Sequence, residues 1–366
     1  MKVALAIHRV RPGGGQDRYA LELARRLAPH CRLDLLAIGV EGHLPPEVGI
    51  RLVHAPGRPM LLTAALFRRG ASALASAGRY DVVHAVGGAL PGASVITAQF
   101  CAAEWRRLDR QAGWYQRLVS AQAVRDERRA YRHPALRAVI AVSHRTAAEV
   151  EEHYGPLRVP VHVVPNAVDL EEFRPRPLVP RGKRGRLLFV GAYERKGLDV
   201  AIRALARLHG ETDLIAIGAG DRRRYRRLAE SLGVGSRVRL EPPRARIAEA
   251  FATADVFLFP TRYEPFGMVI AEALASGVPV VTSAVAGAAE LIRDGESGTV
   301  VPDAEDDAAF ATAVDRILGD AALRAAMARA ARAAVQDLTW DMVAARTLDV
   351  YRSVAAPPTP PPPAGV

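Results

Sequence analysis

Short apolar runs alternate with amphipathic stretches along this chain, stop at one proline- and arginine-rich break, and then begin again. Before the break, "KVALAI", "RLDLLAIG", "DVVHAVGG", "ASVITAQF", "LRAVIAVSH" and "VHVVPNAV" read as strands. "GGGQDRYALELARRLAPH" reads as a glycine-rich turn entering a helix, with Tyr19, Leu23 and Leu27 near helical spacing and Arg25 and Arg26 outward. The break, "FRPRPLVPRGKRGR" at 173–186, has linker composition. Beyond it, "LLFVGA", "DLIAIGAGD", "VRLE", "VFLFPT" and "PVVTS" alternate with further helical stretches. Strands that alternate with helices form parallel sheets covered by helices, so the expected fold is α/β with two Rossmann-like units. The expected boundaries are 1–172 and 187–339, with a last helix at about 340–354 returning to the first unit. A chain of 366 residues suits two domains. The end, "AAPPTPPPPAGV", reads as a disordered tail. Ligands in such sheets bind beyond the carboxyl ends of the strands, which points to a cleft between the units.

Composition narrows the function classes. The chain is 49% apolar and 24% charged, as expected for a globular protein with real cores. "KVALAI" is followed at once by His8, Arg9 and Arg11, so it reads as a buried first strand and not as a leader. The longest uncharged stretch, between Asp81 and Glu104, is broken by Gly87, Gly88, Pro91 and Gly92 and does not suit a membrane span. Cys31 and Cys101 supply neither a disulfide framework nor metal-ligand spacing, which points to a reduced cytoplasm. No metal site and no cofactor are expected. The net charge of +11 invites a polyanion partner. Of 50 basic residues, however, only Lys2, Lys183 and Lys196 are lysines, a bias that fits arginine-rich codon usage. With no zinc-finger spacing and no aromatic–basic RNA motif, nucleic acid is not an expected partner.

The chemistry concentrates in "RYEPFGMVIAEALASGVPVVTS", 262–283. Pro265 biases Glu264 away from helical angles and leaves it in a loop at the end of the strand "VFLFP". A helix is expected from about Phe266 to Gly277. Its first amides suit a phosphate or a polar sugar edge. Glu272, flanked by Ala271 and Ala273, can accept two hydroxyl hydrogen bonds, as from a ribose diol. Either glutamate alone is explained as a solvated or dipole-favoured carboxylate. Their joint placement around a strand–loop–helix favours the functional reading.

This stretch, with "GAAELIRDGESGTVVPD" after it, resembles the retaining glycosyltransferases of family 4, which adopt the GT-B fold. "AVSH" with "VVPNAVDLEEF", "FVGAYERKGLDVAIRAL" and "GGGQDRYALELARRLA" extend the resemblance over nearly the whole chain. The resemblance implies that Glu272 binds the nucleotide ribose and that Glu264 faces the donor sugar. It implies that the amides of Phe266, Gly267, Met268 and Val269 contact sugar and diphosphate, and that Arg195 and Lys196 hold the diphosphate beside Gly191. Two cations there neutralise a leaving diphosphate without a metal. Gly14 and Gly15 are expected to let backbone approach the phosphates. The implied reaction is metal-independent transfer of a hexose from a nucleoside-diphosphate sugar, UDP- or GDP-linked, to a carbohydrate or lipid-linked acceptor with retention.

This chain departs from the family pattern in two places. Ala192 follows Gly191 where many members carry arginine, so that role passes to Arg195. The acceptor-side strand end reads "TAQFCAAEW", with Gln99 and no histidine, and leaves His84 on a neighbouring strand as the other acceptor-side candidate. A lone histidine at a strand end is more often a hydrogen-bonded structural residue. "GAGD", 218–221, lacks the third glycine of a dinucleotide fingerprint. The basic segment 104–133 carries Trp105, Trp114, Tyr115 and Tyr131 and reads equally as an anionic-membrane surface or as a solvated helix. A phosphorylase- or epimerase-like enzyme, or an inactive or hydrolytic GT-B protein serving as a basic binding module, are the alternatives.

Overall fold

The computed structural model describes residues 1–11, 14–88, 90–109, 113–175, 184–244 and 246–355. The middle of the expected linker and the proline-rich tail lie outside the described residues. The chain divides into two compact units. Unit 1 comprises Met1–Val142, Thr146–Val164 and the described residues from Asp341 onward; unit 2 comprises Ser143–Arg145 and Pro165–Trp340.

Unit 1 is built on seven parallel strands: β1 Lys2–Ala6, β2 Arg32–Ala37, β3 Gly49–Leu52, β4 Val82–Val86, β5 Val95–Ala98, β6 Ala138–Ala141 and β7 Val161–Val163. Their order is β3-β2-β1-β4-β5-β6-β7, so β1 and β4 flank the point where the winding reverses. Strands covered on both faces need continuous apolar sequence, and Val3–Ala6 of β1 and all of β6 are buried. The helices are α1 Gly15–Leu27, α2 Met60–Gly78, α3 Ala102–Leu108, α4 Trp114–Tyr131 and α5 His144–Tyr154. α1 places Asp17 in its first turn and Arg25 and Arg26 in its last, in keeping with the helix dipole.

β3 and α2 are among the elements that the sequence reading does not name. β3 is an edge strand with three of its four residues exposed. α2 fully buries only Phe67 and Ala71, so neither element carries the apolar period that marks its neighbours.

Unit 2 repeats the winding with six parallel strands: β8 Gly185–Val190, β9 Thr212–Ile217, β10 Val238–Glu241, β11 Val256–Phe259, β12 Val280–Ser283 and β13 Gly298–Val301. The order is β10-β9-β8-β11-β12-β13. α6 Leu198–Arg207, α7 Arg222–Ser231, α8 Ala248–Phe251, α9 Met268–Ala275, α10 Asp307–Gly319 and α11 Ala321–Ala334 cover it. "GAGD" serves the fold: Gly218 closes on Gly191, and the Asp221 side chain caps α7 by accepting from the amides of Arg223 and Arg224.

The last helix, α12 Trp340–Ala355, completes unit 1. Val343, Leu348, Tyr351 and Val354 are buried, and Arg26 Nε donates to Asp341 at 2.7 Å. A buried polar chain runs from Tyr351 Oη to His84 Nδ1 (2.6 Å), from His84 Nε2 to Thr97 Oγ1 (2.7 Å), and on to Tyr19 Oη (3.1 Å). Among the described residues, no helix is long and apolar enough to cross a membrane.

Candidate active site

In unit 2 the strands β8 and β11 lie side by side, and the loops beyond their carboxyl ends carry Gly191–Lys196 and Thr261–Gly267. Gly191 has φ +141°, and a Cβ there would stand 2.8 Å from Lys196 Cγ. Gly197, at φ +76°, starts α6, and a Cβ on it would stand 2.0 Å from the Pro260 carbonyl oxygen. The two glycines therefore let the β8 loop close against the end of β11.

Lys196 is only 5% exposed, and its Nζ is ion-paired with the Glu264 carboxylate. The ammonium also lies 5.2 Å from the centroid of the Phe259 ring. Burial, and then the like charge of Arg195, pull the Lys196 pKa well below the usual lysine range. The Glu264 contact works in the opposite direction. Arg195 is part-buried, which lowers its pKa, and its Nη1 donates to the Tyr263 carbonyl at 3.3 Å. A buried ammonium, a part-buried guanidinium and a carboxylate thus share one loop junction.

That junction is pinned from three sides. Arg262 Nη1 and Nη2 donate to Asp199 at 2.9 and 2.8 Å, and its Nε donates to Glu305 at 2.5 Å. Burial works to raise the Asp199 pKa, but the hydrogen bonds and charge of Arg262 outweigh it and leave it lowered. On the other side, the amide of Gly287 donates to the Glu264 carbonyl (2.8 Å) and that of Ala288 to the Phe266 carbonyl (2.6 Å). Ser143 Oγ donates to the Pro265 carbonyl at 2.7 Å. A Cβ on Gly287 would stand 2.0 Å from the Pro265 oxygen, so only glycine admits this approach. The sequence reading missed Arg262, Asp199, Glu305 and Gly287 as supports; their one signal is adjacency to the motif residues.

α9 begins at Met268, two residues later than expected, because Gly267 takes φ +102°, a left-handed conformation outside the helix. Glu272 follows one turn in and is 4% exposed. Ser276 closes the helix, and Gly277 leaves it at φ +69°. Gly191, Arg195, Lys196, Glu264, Phe266, Gly267, Met268, Val269 and Glu272 thus all belong to unit 2.

Gly14, Gly15, His84 and Gln99 belong to unit 1. Gly14 precedes α1 in extended conformation, and a Cβ there would stand 2.3 Å from Asp17 Oδ2. Gln99 follows β5 and is almost wholly buried. His84 corrects an expectation. It is fully buried, with both ring nitrogens hydrogen-bonded, and burial lowers its pKa to about 3. It is a structural link between sheet and α12, not an acceptor-facing group.

The basic segment 104–133 divides into α3 and α4. The inner face of α4 buries Asp126, Glu127, Ala130 and Tyr131. Glu127 Oε2 accepts from Tyr154 Oη (2.6 Å) and from the Ala102 amide (2.9 Å), while Asp126 pairs with Arg68. At the other end, Trp114 is 76% exposed and Leu118 is exposed.

The glycosyl transferases group 1 family model matches residues 171–334, and the glycosyltransferase family 4 model matches residues 13–172. A D-inositol 3-phosphate glycosyltransferase of Xylanimonas cellulosilytica is 31% identical over 92% of this chain and 91% of its own length. A glycogen synthase of Mycobacterium tuberculosis is 32% identical over 75% of this chain and 69% of its own. The crystal structure of WaaG, a glycosyltransferase involved in lipopolysaccharide biosynthesis, matches with a TM-score of 0.79 at 25% identity, covering 95% of this chain and 99% of that one. With two Rossmann-wound parallel sheets, motif loops at the carboxyl ends of β8 and β11, and relatives that run almost its full length, this chain is a glycosyltransferase of the group 1, family 4 type with the GT-B fold.

Proposed function

We propose that the enzyme transfers a hexose from a UDP- or GDP-linked sugar to a carbohydrate or lipid-linked acceptor, with retention at the anomeric carbon. The observation that carries this reading is the convergence of Arg195, Lys196 and Glu264 at the carboxyl ends of β8 and β11, beside the first turn of α9. In the reading, the free amides at the start of α9 and the two cations bind the diphosphate, and Glu272 accepts the ribose hydroxyls.

The Lys196–Glu264 pair gives donor binding a charge exchange. An arriving diphosphate takes over Lys196, and Glu264 is released to accept a sugar hydroxyl. As the bond from the anomeric carbon to the phosphate oxygen breaks, negative charge grows on the diphosphate, where Lys196 and Arg195 stabilise it. The acceptor hydroxyl forms the new bond from the same face, and its proton passes to the departing phosphate oxygen.

Relatives whose names include D-inositol 3-phosphate support an acceptor that carries phosphate. The exposed Trp114 and Leu118, with Arg125, Arg128 and Arg129 further along α4 and Arg132 just past its end, support contact with an anionic membrane surface. The test is a panel of UDP-, GDP- and ADP-sugars. Thermal shift ranks the donors, since a ligand at about 100 times its Kd stabilises by about 2.7 kcal/mol. The anomeric proton coupling of the product then reads the stereochemistry. An inverted product, or no shift with any nucleotide sugar, ends the proposal.

A further inference from the structure

α7 is the most basic helix among the described residues. Its sequence, "RRRYRRLAES", places five arginines within six positions, against one acidic residue, Glu230, toward the far end. All five arginines are exposed, while Tyr225 and Ala229 turn inward. Helix physics opposes this arrangement twice. The first turn of a helix favours carboxylates and disfavours cations, each charge counting for about 0.3–1 kcal/mol. Like charges three or four positions apart repel by about 0.2–0.5 kcal/mol a pair. Arg222 with Arg226, Arg223 with Arg226 and Arg227, and Arg224 with Arg227 are all such pairs. In α4, by contrast, Arg128 and Arg129 lie in the last turn, where the dipole favours them. The arginine bias of the chain explains why these cations are not lysines. It does not explain why they collect at the unfavourable end of a helix.

The cluster lies beside the loop that carries Arg195 and Lys196. Arg224 Nη1 pairs with Glu194 at 3.3 Å, the residue before Arg195. Tyr225 meets Tyr193 edge-on, with ring centroids 5.4 Å apart, and Arg222 reaches the Tyr193 side chain. The carboxylates of this corner are engaged: Glu194 with Arg224, and Asp199 and Glu305 with Arg262. The amides of Arg223 and Arg224 are engaged as well, by Asp221. Arg223, Arg226 and Arg227 have no ion pair among the described residues. Their charge is therefore not neutralised locally, and its field extends over about 8 Å at physiological salt.

We infer that the exposed arginines of α7 are a capture surface for the anionic donor: they draw the nucleoside diphosphate toward the Arg195–Lys196 loop and speed its association, without touching it in the bound state. This rests on the proposed nucleotide-sugar donor and adds the route by which that donor arrives. A surface of one sign raises the association rate of an oppositely charged ligand by about 10- to 1,000-fold, and the gain fades as salt rises.

The test is stopped-flow association of UDP and GDP labelled on the base, so that the ribose hydroxyls stay free. Arg223→Gln, Arg226→Gln and Arg227→Gln are combined in one variant, since glutamine keeps the helix propensity of arginine. Association should slow by about tenfold at about 0.01 M salt, and the rates of variant and native protein should converge near 1 M, where screening acts within about 3 Å. Dissociation should change by less than about twofold. The same three positions changed to lysine keep the charge and lose the planar fork, and association should stay within about twofold of native. Unchanged association in the glutamine variant overturns the inference. So does a lysine variant as slow as the glutamine one, which marks direct contact, and so does a loss carried by faster dissociation. If neither nucleotide binds the native protein, the donor reading fails and this inference with it. If a nucleotide binds native and glutamine variant at one rate, the capture surface alone fails.

Discussion

The two sheets share one winding and put their strand ends to different use. Beyond β8 and β11 the chain buries a lysine, pairs it with a carboxylate and fixes the intervening backbone through Arg262, Gly287 and Ser143. Beyond β1 and β4 it leaves a cavity walled by α2 and α4, with the exposed Met60 in its lining. The difference follows from what each end has to hold. Opposed charges in a buried place admit few residue types and demand backbone contacts that only certain glycines permit. An apolar wall is satisfied by many side chains of suitable size. The first kind of site therefore prints a motif, and the second does not.

The largest effect should come from removing the cation of unit 2. Lys196→Ala should raise the barrier to transfer by about 2.7–4 kcal/mol, seen as a fall in kcat far larger than any rise in KM for the donor. Activity of the native enzyme should persist in EDTA, since Arg195 and Lys196 supply the positive charge. A variant with near-native kcat would remove Lys196 from the reaction and with it the contrast between the two strand ends. Next in size is the backbone. Gly197→Ala puts a methyl group against the Pro260 carbonyl at a positive φ and should cost about 1–3 kcal/mol in urea unfolding. An unchanged midpoint would mean the β8 loop tolerates movement, and the description of a pinned junction would fail.

Acid should separate the units. Unit 1 holds two neutral histidines, the buried His84 at about 3 and the part-buried His8 at about 4, whereas in unit 2 the described histidines, His144 and His209, are exposed. Unfolded histidine binds its proton near 6.5, so protonation favours the unfolded chain. The histidine contribution is whole above pH 6.5 and is lost as pH falls toward 4 and then 3. Glu127, pushed up to about 7 by burial, opposes this: its contribution is whole below pH 4.5 and is lost as pH rises toward 7. The net loss is therefore steepest below pH 4.5. Hydrogen exchange at stepped pH should show β4, β5 and α12 opening before β8 and β11; the reverse order would break the comparison. Tyr351→Phe, which leaves His84 Nδ1 without its partner, should cost about 1–3 kcal/mol and bring that opening to higher pH. The smallest effect on the fold is expected at the exposed start of α4. Trp114→Ala should change stability by no more than about 0.5 kcal/mol. Its recovery with anionic vesicles in co-sedimentation should nonetheless drop, and equal recovery of both proteins would detach the start of α4 from membranes.

The same contrast explains what was legible beforehand. Buried strands such as "VFLF" and "AVIA" announce themselves because both faces are covered. The region of Glu264 and Glu272 could be read because a proline, a glycine and two carboxylates constrain one another over a few residues. α2 was invisible because most of its surface faces the cavity or solvent, so no apolar stripe survives. Arg262 was invisible because its partners, Asp199 and Glu305, lie far off in sequence and meet it only in the fold. His84 was ambiguous for the same reason, since Tyr351 is 267 positions away.

The return of α12 to the first sheet has a consequence for synthesis. Domains usually fold in the order in which they leave the ribosome. Here the strands of unit 1 emerge first, yet Tyr351 and its apolar neighbours on α12, which cover part of that core, emerge last. The nascent chain must carry an unfinished first domain while the whole of the second is made. The domain begun first is finished last, and a ribosome that stalls before α12 leaves His84 and the core around it without their cover.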